Sequence, residues 1–175
     1  GHQHLEALLS PAVGDGSPSA LHRARQPTLG AAAGLFIVVA GWVIGLRPLS
    51  DNSFFTHLAT GRIILDTGSV PSSDAYTFTA HGTPWLVQSW LASSAYDGAE
   101  RVAGVAGIRL LIAATCMALT ACLWRLSAPA RTLVPRGVAV GFALAIGGSL
   151  WNGRPLMFGL LFLALAVLAA DGAVG

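Results

Sequence analysis

The chain has 175 residues, of which 54% are hydrophobic and only 10% are charged, and its formal net charge is +2. A soluble domain usually carries roughly 25% charged residues, and a chain this short has too much surface for its volume to face water with so few charges. The composition therefore excludes an ordinary soluble domain, and the small net charge gives no case for a nucleic-acid partner. All ten basic residues are arginines, which together with the many alanines and glycines suggests a bacterial protein.

The N-terminal region divides into a polar part and an apolar part. Residues 1–29 are polar and rich in turn-forming Pro and Gly, so they predict a flexible tail. Residues 30–49 are almost wholly apolar, and about 20 helical residues cover the ~30 Å hydrocarbon core of a bilayer. The segment 30–49 is therefore predicted to be the first transmembrane helix.

Three further apolar segments follow, at 102–124, 137–151 and 155–172. They predict an all-α polytopic membrane protein with about four transmembrane helices, a short loop at 125–136 and one large, structured loop at 50–101. The chain ends as the fourth segment finishes. We therefore expect it to be the N-terminal part of a larger protein and to be inactive on its own.

The arginines predict an orientation, because cytoplasmic loops carry an excess of basic residues. Arg23 and Arg25 precede the first span, and three more arginines fall in 125–136, whereas 50–101 holds five acidic residues and two arginines. We expect a multi-pass protein of the bacterial cytoplasmic membrane, with a cytoplasmic N-terminus. Residues 50–101, named the outer segment below, would then be extracytoplasmic.

The outer segment shows three local patterns. Residues 51–68 place apolar side chains at helical spacing, with Asp51 or Ser50 suited to cap the start and Gly68 the end. Residues 76–80 alternate apolar and polar side chains and predict a strand. From Trp85 to Arg101 the helical spacing resumes, and this predicts a second helix with surface-seeking tryptophans.

The outer segment also resembles a known family. Its strings DNSFFTHLATGRIILDTGSVP at 51–71 and SDAYTFTAHGTPW at 73–85, and the later GRPLMF at 153–158, are similar to bacterial GT-C membrane glycosyltransferases. These polytopic enzymes are related to the dolichyl-phosphate-mannose protein mannosyltransferases. The resemblance covers roughly residues 31–170 and implies transfer of a sugar from a polyprenyl-phosphate-linked donor in the lipid to an extracytoplasmic acceptor.

The resemblance places the catalytic acid of the family just after the first span, where Asp51 stands. A carboxylate there can serve as general base or help hold a divalent cation such as Mg²⁺ or Mn²⁺, and an apolar boundary is expected to raise its pKa. The family often has a second acidic residue beside the first. Here the neighbour is Asn52, which speaks against a two-carboxylate site at this position, so Asp74 is the candidate second metal ligand.

His57, Asp74 and Arg154 are the candidate substrate-binding residues. Arg154 suits a lipid phosphate, because guanidinium matches phosphate geometry. Each candidate also has a structural interpretation: Asp51 as a helix cap, His57 as a hydrogen-bonding residue within the loop, Asp74 as a turn former, and Arg154 as a side chain that reaches the interface. Arg62 and Arg109 are expected to be structural.

Two other functions fit the same sequence. A transporter subunit is one, although no predicted span has an acidic residue near its middle. A non-catalytic membrane scaffold is the other, and it predicts an outer segment in which Asp51 is capped and buried.

Overall fold

The computed structural model describes residues 28–49, 51–130 and 132–174. Within these ranges the chain forms five α-helices and no strand, which confirms the all-α prediction. The helices are α1 (Leu29–Gly45), α2 (Ser53–Thr67), α3 (Trp90–Leu126), α4 (Leu133–Gly147) and α5 (Leu156–Val174). Residues 1–27 of the predicted tail lie outside the described residues.

Two of these helices, α3 and α5, are long and apolar enough to cross a membrane, fewer than the four that the sequence predicted. The apolar helices α1 and α4 have 17 and 15 residues, which is about 25 Å and 22 Å of helix against a core of ~30 Å. Helix α1 stops short of the predicted 30–49 because Arg47 and Pro48 follow its end. Helix α4 begins at Leu133 and ends at Gly147, so both of its ends lie four residues earlier than those of the predicted span 137–151.

Helix α3 is broken near its first third. Ala103 (φ −143°, ψ 22°) and Gly104 (φ 60°, ψ −149°) leave the helical conformation, and the values at Gly104 are ones that essentially only glycine adopts. The break divides α3 into a first arm, 90–102, and a second arm, 105–126. The two arms approach closely, because a Cβ at Gly107 would stand 2.1 Å from the carbonyl oxygen of Ala99.

We expect Gly104→Ala to destabilise the fold by about 1–3 kcal/mol, the usual cost of a strained backbone conformation. The cost is conformational, since an added Cβ there meets nothing within 4 Å. Gly98→Ala in the first arm is the control, and its higher helix propensity should stabilise by about 0.5–1 kcal/mol. In a Cys122→Ala background, which leaves Cys116 as the single thiol of the chain, thermal exposure of the buried Cys116 to a fluorogenic maleimide measures both. Equal midpoints for the two variants would contradict the prediction.

Helix α1 packs antiparallel on the second arm of α3 through a row of glycines. A Cβ at Gly34 would lie 2.5 Å from the indole nitrogen of Trp124, and one at Gly45 would lie 2.5 Å from the Cα of Ala113. Small residues at such spacing let two helix backbones approach closely. Gly45 and the linkers after α1 and α4 therefore lie at one end of the helices, and Trp124 lies at the other.

Helix α2 packs on the first arm of α3. Gly61 makes the contact possible, because a Cβ there would stand 2.0 Å from the carbonyl oxygen of Ser93. The rings of Phe54 and Tyr96 meet edge to face at 5.0 Å, and Phe158 of α5 lies 5.7 Å from Tyr96. This aromatic contact joins the outer segment to the start of α5. The predicted helix over 51–68 is confirmed, with Gly68 in the left-handed conformation at its end.

The chain between α2 and α3 is an irregular lobe, residues 69–89. The strand predicted at 76–80 is wrong: the lobe has one isolated bridge, between Ser73 and Pro84. Asp74 accounts for the difference, because its carboxylate binds the next backbone N–H groups and closes a turn. The helix predicted from Trp85 begins only at Trp90, since the backbone N–H of Trp85 donates to Ser72 instead.

Candidate functional site

A long-range ion pair near the outer end of the helices joins Asp51 to Arg154. Asp51 lies in the linker between α1 and α2, and Arg154 lies just before α5. The Nε of Arg154 donates to one carboxylate oxygen of Asp51. The other oxygen accepts from the backbone N–H of Ser53 at 3.0 Å and from its hydroxyl at 2.8 Å. The Asp51 side chain is 10% exposed, whereas that of Arg154 is 55% exposed.

These contacts lower the pKa of Asp51 to about 2. The hydrogen bond from the Ser53 hydroxyl is the largest cause, followed by the Ser53 N–H and by Arg154. The expectation that an apolar boundary raises this pKa is therefore wrong. Three donors favour the carboxylate more than partial burial disfavours it. In this arrangement Asp51 is a firmly ionised partner of Arg154, and it becomes a better base only when hydrogen bonds from Ser53 or Arg154 are withdrawn.

We expect Arg154→Gln and Ser53→Ala each to move the pKa of Asp51 from about 2 toward its ordinary 3.8. Because the folded-state pKa is depressed, the pairing stabilises the fold above pH 3.8 and is lost as the pH falls toward 2. Carboxyl ¹³C NMR of labelled aspartate measures the titration. Asp66→Asn removes an exposed carboxylate outside the contact and should leave the Asp51 titration unchanged. If Asp51 kept its wild-type pKa in both Arg154→Gln and Ser53→Ala, these hydrogen bonds would not be the cause of its low pKa.

Two further arginines tie the linkers together at this end. Arg47 donates to the carbonyl oxygen of Gly148, after α4, at 3.4 Å. Arg109 donates to the carbonyl oxygen of Leu46, after α1, as a structural role predicts. Both side chains satisfy backbone carbonyls that the helix ends leave open. Arg154 differs from them in pairing with a carboxylate.

His57 lies on α2 and makes no hydrogen bond to Asp51 among the described residues. Its Nδ1 lies 3.3 Å from the hydroxyl of Ser89 and 3.4 Å from that of Ser93. Burial lowers the pKa of His57, and the charge of Asp51 opposes this only in part. His57 is thus a neutral, fixed imidazole at ordinary pH.

Asp74 lies within the lobe. Its carboxylate accepts from the N–H groups of Tyr76 and Thr77 at 2.8 and 3.0 Å and from the Thr77 hydroxyl at 2.6 Å. These bonds lower its pKa, the Thr77 hydroxyl being the largest cause. No contact joins Asp74 to Asp51 or Arg154 in the described part of the chain, and the geometry is that of a turn former.

The carboxylates of Asp51 and Asp74 are the candidate metal ligands, and no contact joins them within the described residues. The oxygens of both carboxylates already accept hydrogen bonds. Over residues 28–49, 51–130 and 132–174, no three His, Cys, Asp or Glu side chains gather where they could hold a metal. The cation remains what the resemblance implies.

Sequence reasoning missed a buried carboxylate in the first arm of α3. The Asp97 side chain is 1% exposed, and it accepts from Nε of Arg101 at 2.6 Å and faces Nε of Arg62 at 3.7 Å. Arg62 also pairs with Glu100 and Arg101 with Asp66. The spacing of Asp97 and Arg101, four residues apart on one helix, was the available signal. Three arginines, Arg62, Arg101 and Arg154, thus contact four of the five acidic side chains of the outer segment, all except Asp74.

Two cavities adjoin in the outer segment. One of about 440 Å³ is a mainly apolar groove between the first arm of α3 and the start of α5, and Pro155, next to Arg154, is part of its wall. Its other lining residues are Gln88, Ser89, Leu91, Ala92, Ala95, Phe158, Gly159 and Phe162. The second, of about 450 Å³, is a more polar pocket between α2 and residues 85–89. Gln88 and Ser89 line both, so the apolar and polar spaces are neighbours that share one stretch of wall.

Comparison with known proteins finds no family model, no curated protein and no solved structure that matches this chain.

Proposed function

We propose that this protein is a membrane glycosyltransferase that moves a sugar from a polyprenyl-phosphate-linked donor to an extracytoplasmic acceptor. The observation that carries the proposal is the pairing of Asp51 with Arg154, 103 residues apart in sequence. One is a carboxylate suited to accept a proton, and the other is a guanidinium suited to bind a phosphate. Pro155, the residue after Arg154, lines the apolar groove, which suits a hydrocarbon chain.

The proposal includes four membrane spans, with α1 and α4 crossing beside α3 and α5. Its support is the apolar surface that these two helices turn outward. Leu35 and Phe36 of α1 are 66% and 76% exposed, and Phe142 and Ile146 of α4 are 64% and 70% exposed. Patches of this kind suit a lipid solvent better than water. A bilayer thinner than average, or local thinning around the helices, would accommodate their length at modest cost.

The proposed orientation has a cytoplasmic N-terminus in a bacterial cytoplasmic membrane. Arg125 and Arg136 support it, because both lie near the Trp124 end, opposite Asp51. The guanidinium of Arg136 stacks on the Trp124 ring at 3.8 Å. Arg23, Arg25 and Arg131, which the sequence argument also used, lie outside the described residues.

The chemical step follows from the two charged side chains. The donor phosphate draws Arg154 away from Asp51, because a guanidinium binds phosphate through two parallel hydrogen bonds. The acceptor hydroxyl oxygen then bonds to the anomeric carbon while the bond from that carbon to the phosphate oxygen breaks. The polyprenyl phosphate leaves with the electron pair, and the hydroxyl proton passes to the carboxylate of Asp51 once the hydrogen bonds from Arg154 and the Ser53 hydroxyl have been released. Attack opposite the phosphate inverts the anomeric centre.

The test is transfer by the full-length protein in proteoliposomes containing polyprenyl-phosphate sugars. We expect Asp51→Asn to lower the rate at least 100-fold, as loss of a general base does, while the protein still inserts and folds. Arg154→Gln should raise the KM for the lipid donor more than it lowers kcat. Asp66→Asn, which removes an exposed carboxylate from α2, is the matched control and should retain the wild-type rate.

The same contact supports a second function, a non-catalytic membrane scaffold. Asp51 is capped by Ser53, paired with Arg154 and little exposed, as that alternative predicts. Full transfer activity in Asp51→Asn, or no transfer by the wild type with any polyprenyl-phosphate sugar, would favour the scaffold.

A further inference from the structure

The polar pocket beside α2 is built from two stretches of chain. Helix α2 supplies Thr56, His57 and Thr60, and the extended residues 85–89 supply the opposite wall. Its volume of about 450 Å³ lies within the ~300–1,000 Å³ usual for small-molecule sites. The pocket therefore has room for a ligand of the size of a sugar.

The lining of this pocket carries no formal charge. It contains no Asp, Glu, Arg or Lys, and His57 is neutral because burial lowers its pKa. A phosphate or carboxylate would find no cation to balance it there, and burying an unpaired charge is costly. The pocket therefore favours a neutral ligand, in contrast to Arg154.

Several polar groups of the pocket are free to bind such a ligand. The hydroxyls of Ser89 and Ser93 lie within hydrogen-bond distance of Nδ1 of His57. The imidazole Nε2, the Gln88 amide and the Thr56 hydroxyl have no hydrogen-bond partner within the described residues. Together they can donate and accept, which suits the vicinal hydroxyls of a sugar better than a ligand that only accepts.

An aromatic wall completes the pocket. The Trp85 indole is half-buried and meets the Tyr76 ring edge to face, with centroids 5.7 Å apart. The Tyr76 hydroxyl donates to the Thr60 hydroxyl at 3.2 Å. Tyr76 therefore connects the Trp85 indole to α2. The C–H face of a pyranose packs on an indole while its hydroxyls bond to neighbouring polar groups.

We propose that the pocket formed by His57, Trp85 and Gln88 binds a neutral pyranose ring. The inference rests on the proposed function and names its sugar subsite. The ring belongs either to the lipid-linked donor, whose chain would then lie in the neighbouring apolar groove, or to a soluble acceptor. The chemistry of recognition is the same in both cases.

The test is saturation-transfer NMR on the full-length protein in nanodiscs, free of sugar-based detergents. Methyl glycosides of glucose, mannose and galactose are the soluble probes. The matching octyl glycosides carry a hydrocarbon tail, and they are added well below their critical micelle concentrations, with their uptake by protein-free nanodiscs subtracted. We expect at least one methyl glycoside to bind, and Gln88→Leu and Trp85→Ala each to weaken it at least fivefold. Ser94→Ala, outside the pocket, is the control. A tenfold advantage of the octyl form assigns the donor, and equal binding assigns the acceptor.

Methyl glucuronide tests the neutrality of the pocket, and we expect it to bind at least tenfold more weakly than methyl glucoside. Binding by no glycoside, unchanged binding in Gln88→Leu, or equal affinity for the glucuronide would overturn the inference. Gln88 is exposed and unpartnered within the described residues, so its variant should fold even if Trp85→Ala does not. Asp51→Asn should keep glycoside binding while losing transfer, so the failure of this subsite and the failure of the proposed catalysis give different results.

Discussion

Gly45→Ala should lower the stability of the helix bundle by up to about 3 kcal/mol, the upper part of the usual range for overpacking. The added Cβ would stand 2.5 Å from the Cα of Ala113 and 3.0 Å from the carbonyl oxygen of Ile112. Both are backbone atoms, so no side chain can rotate to make room. Helices α1 and α3 would have to separate over this part of their contact.

Cys116 reports this separation directly, because its thiol is buried in α3 and its carbonyl oxygen faces Gly41 of α1. In a Cys122→Ala background, a fluorogenic maleimide should label Cys116 at a lower temperature when Gly45→Ala is present than when it is absent. Gly141→Ala is the matched control, since a Cβ there meets nothing within 4 Å. It should instead gain about 0.5–1 kcal/mol of helix propensity. If both variants shifted the midpoint equally, the glycine contact would not hold the two helices together.

Asp97→Asn should cost about 2 kcal/mol, because hydrogen bonds to a charged group contribute ~1.5–3 kcal/mol. The buried carboxylate faces two guanidinium groups, those of Arg62 and Arg101. An asparagine amide has one acceptor oxygen, so its NH₂ group would face one of the two arginines. The exposure of those arginines to solvent keeps the cost below that of a fully buried pair.

Hydrogen exchange locates the damage caused by Asp97→Asn. The amides of α2 should exchange faster, while those of residues 105–126 should be unchanged, since the loss is confined to the outer segment. Asp66→Asn removes the other partner of Arg101, but Asp66 is 56% exposed and its surface pair should contribute little. Faster exchange throughout the chain, or equal effects of the two variants, would show that Asp97 does not hold α2 on α3.

The elements predicted well were those specified by local chemistry. Helix α2 was predicted because apolar side chains recur at helical spacing and Gly68 follows the last turn. The apolar segments also predicted the four remaining helices, although the observed ends of these helices differ from the predicted ones. Arg47 and Pro48 end α1 early, and α4 starts before the apolar run that predicted it.

The failures came from contacts that no local pattern contains. The alternation at 76–80 is typical of a strand. The backbone N–H groups of Tyr76 and Thr77 donate to the Asp74 carboxylate instead, so they are not available to a neighbouring strand. The break at Gly104 was missed because glycine is also tolerated within an apolar helix. Asp51 was placed near an apolar boundary that would raise its pKa, and only the fold brought Arg154 to it.

The separation of Asp51 from Arg154 has a consequence for the order in which the protein is made. Arg62 and Glu100 are 38 residues apart, so α2 can dock on the first arm of α3 soon after both leave the ribosome. Asp51 and Arg154 are 103 residues apart, which is about 5–20 s of synthesis at ~5–20 residues per second. For that interval the nascent chain carries Asp51 without its guanidinium partner. The proposed catalytic pair would thus be among the last contacts formed, after the outer segment has already folded.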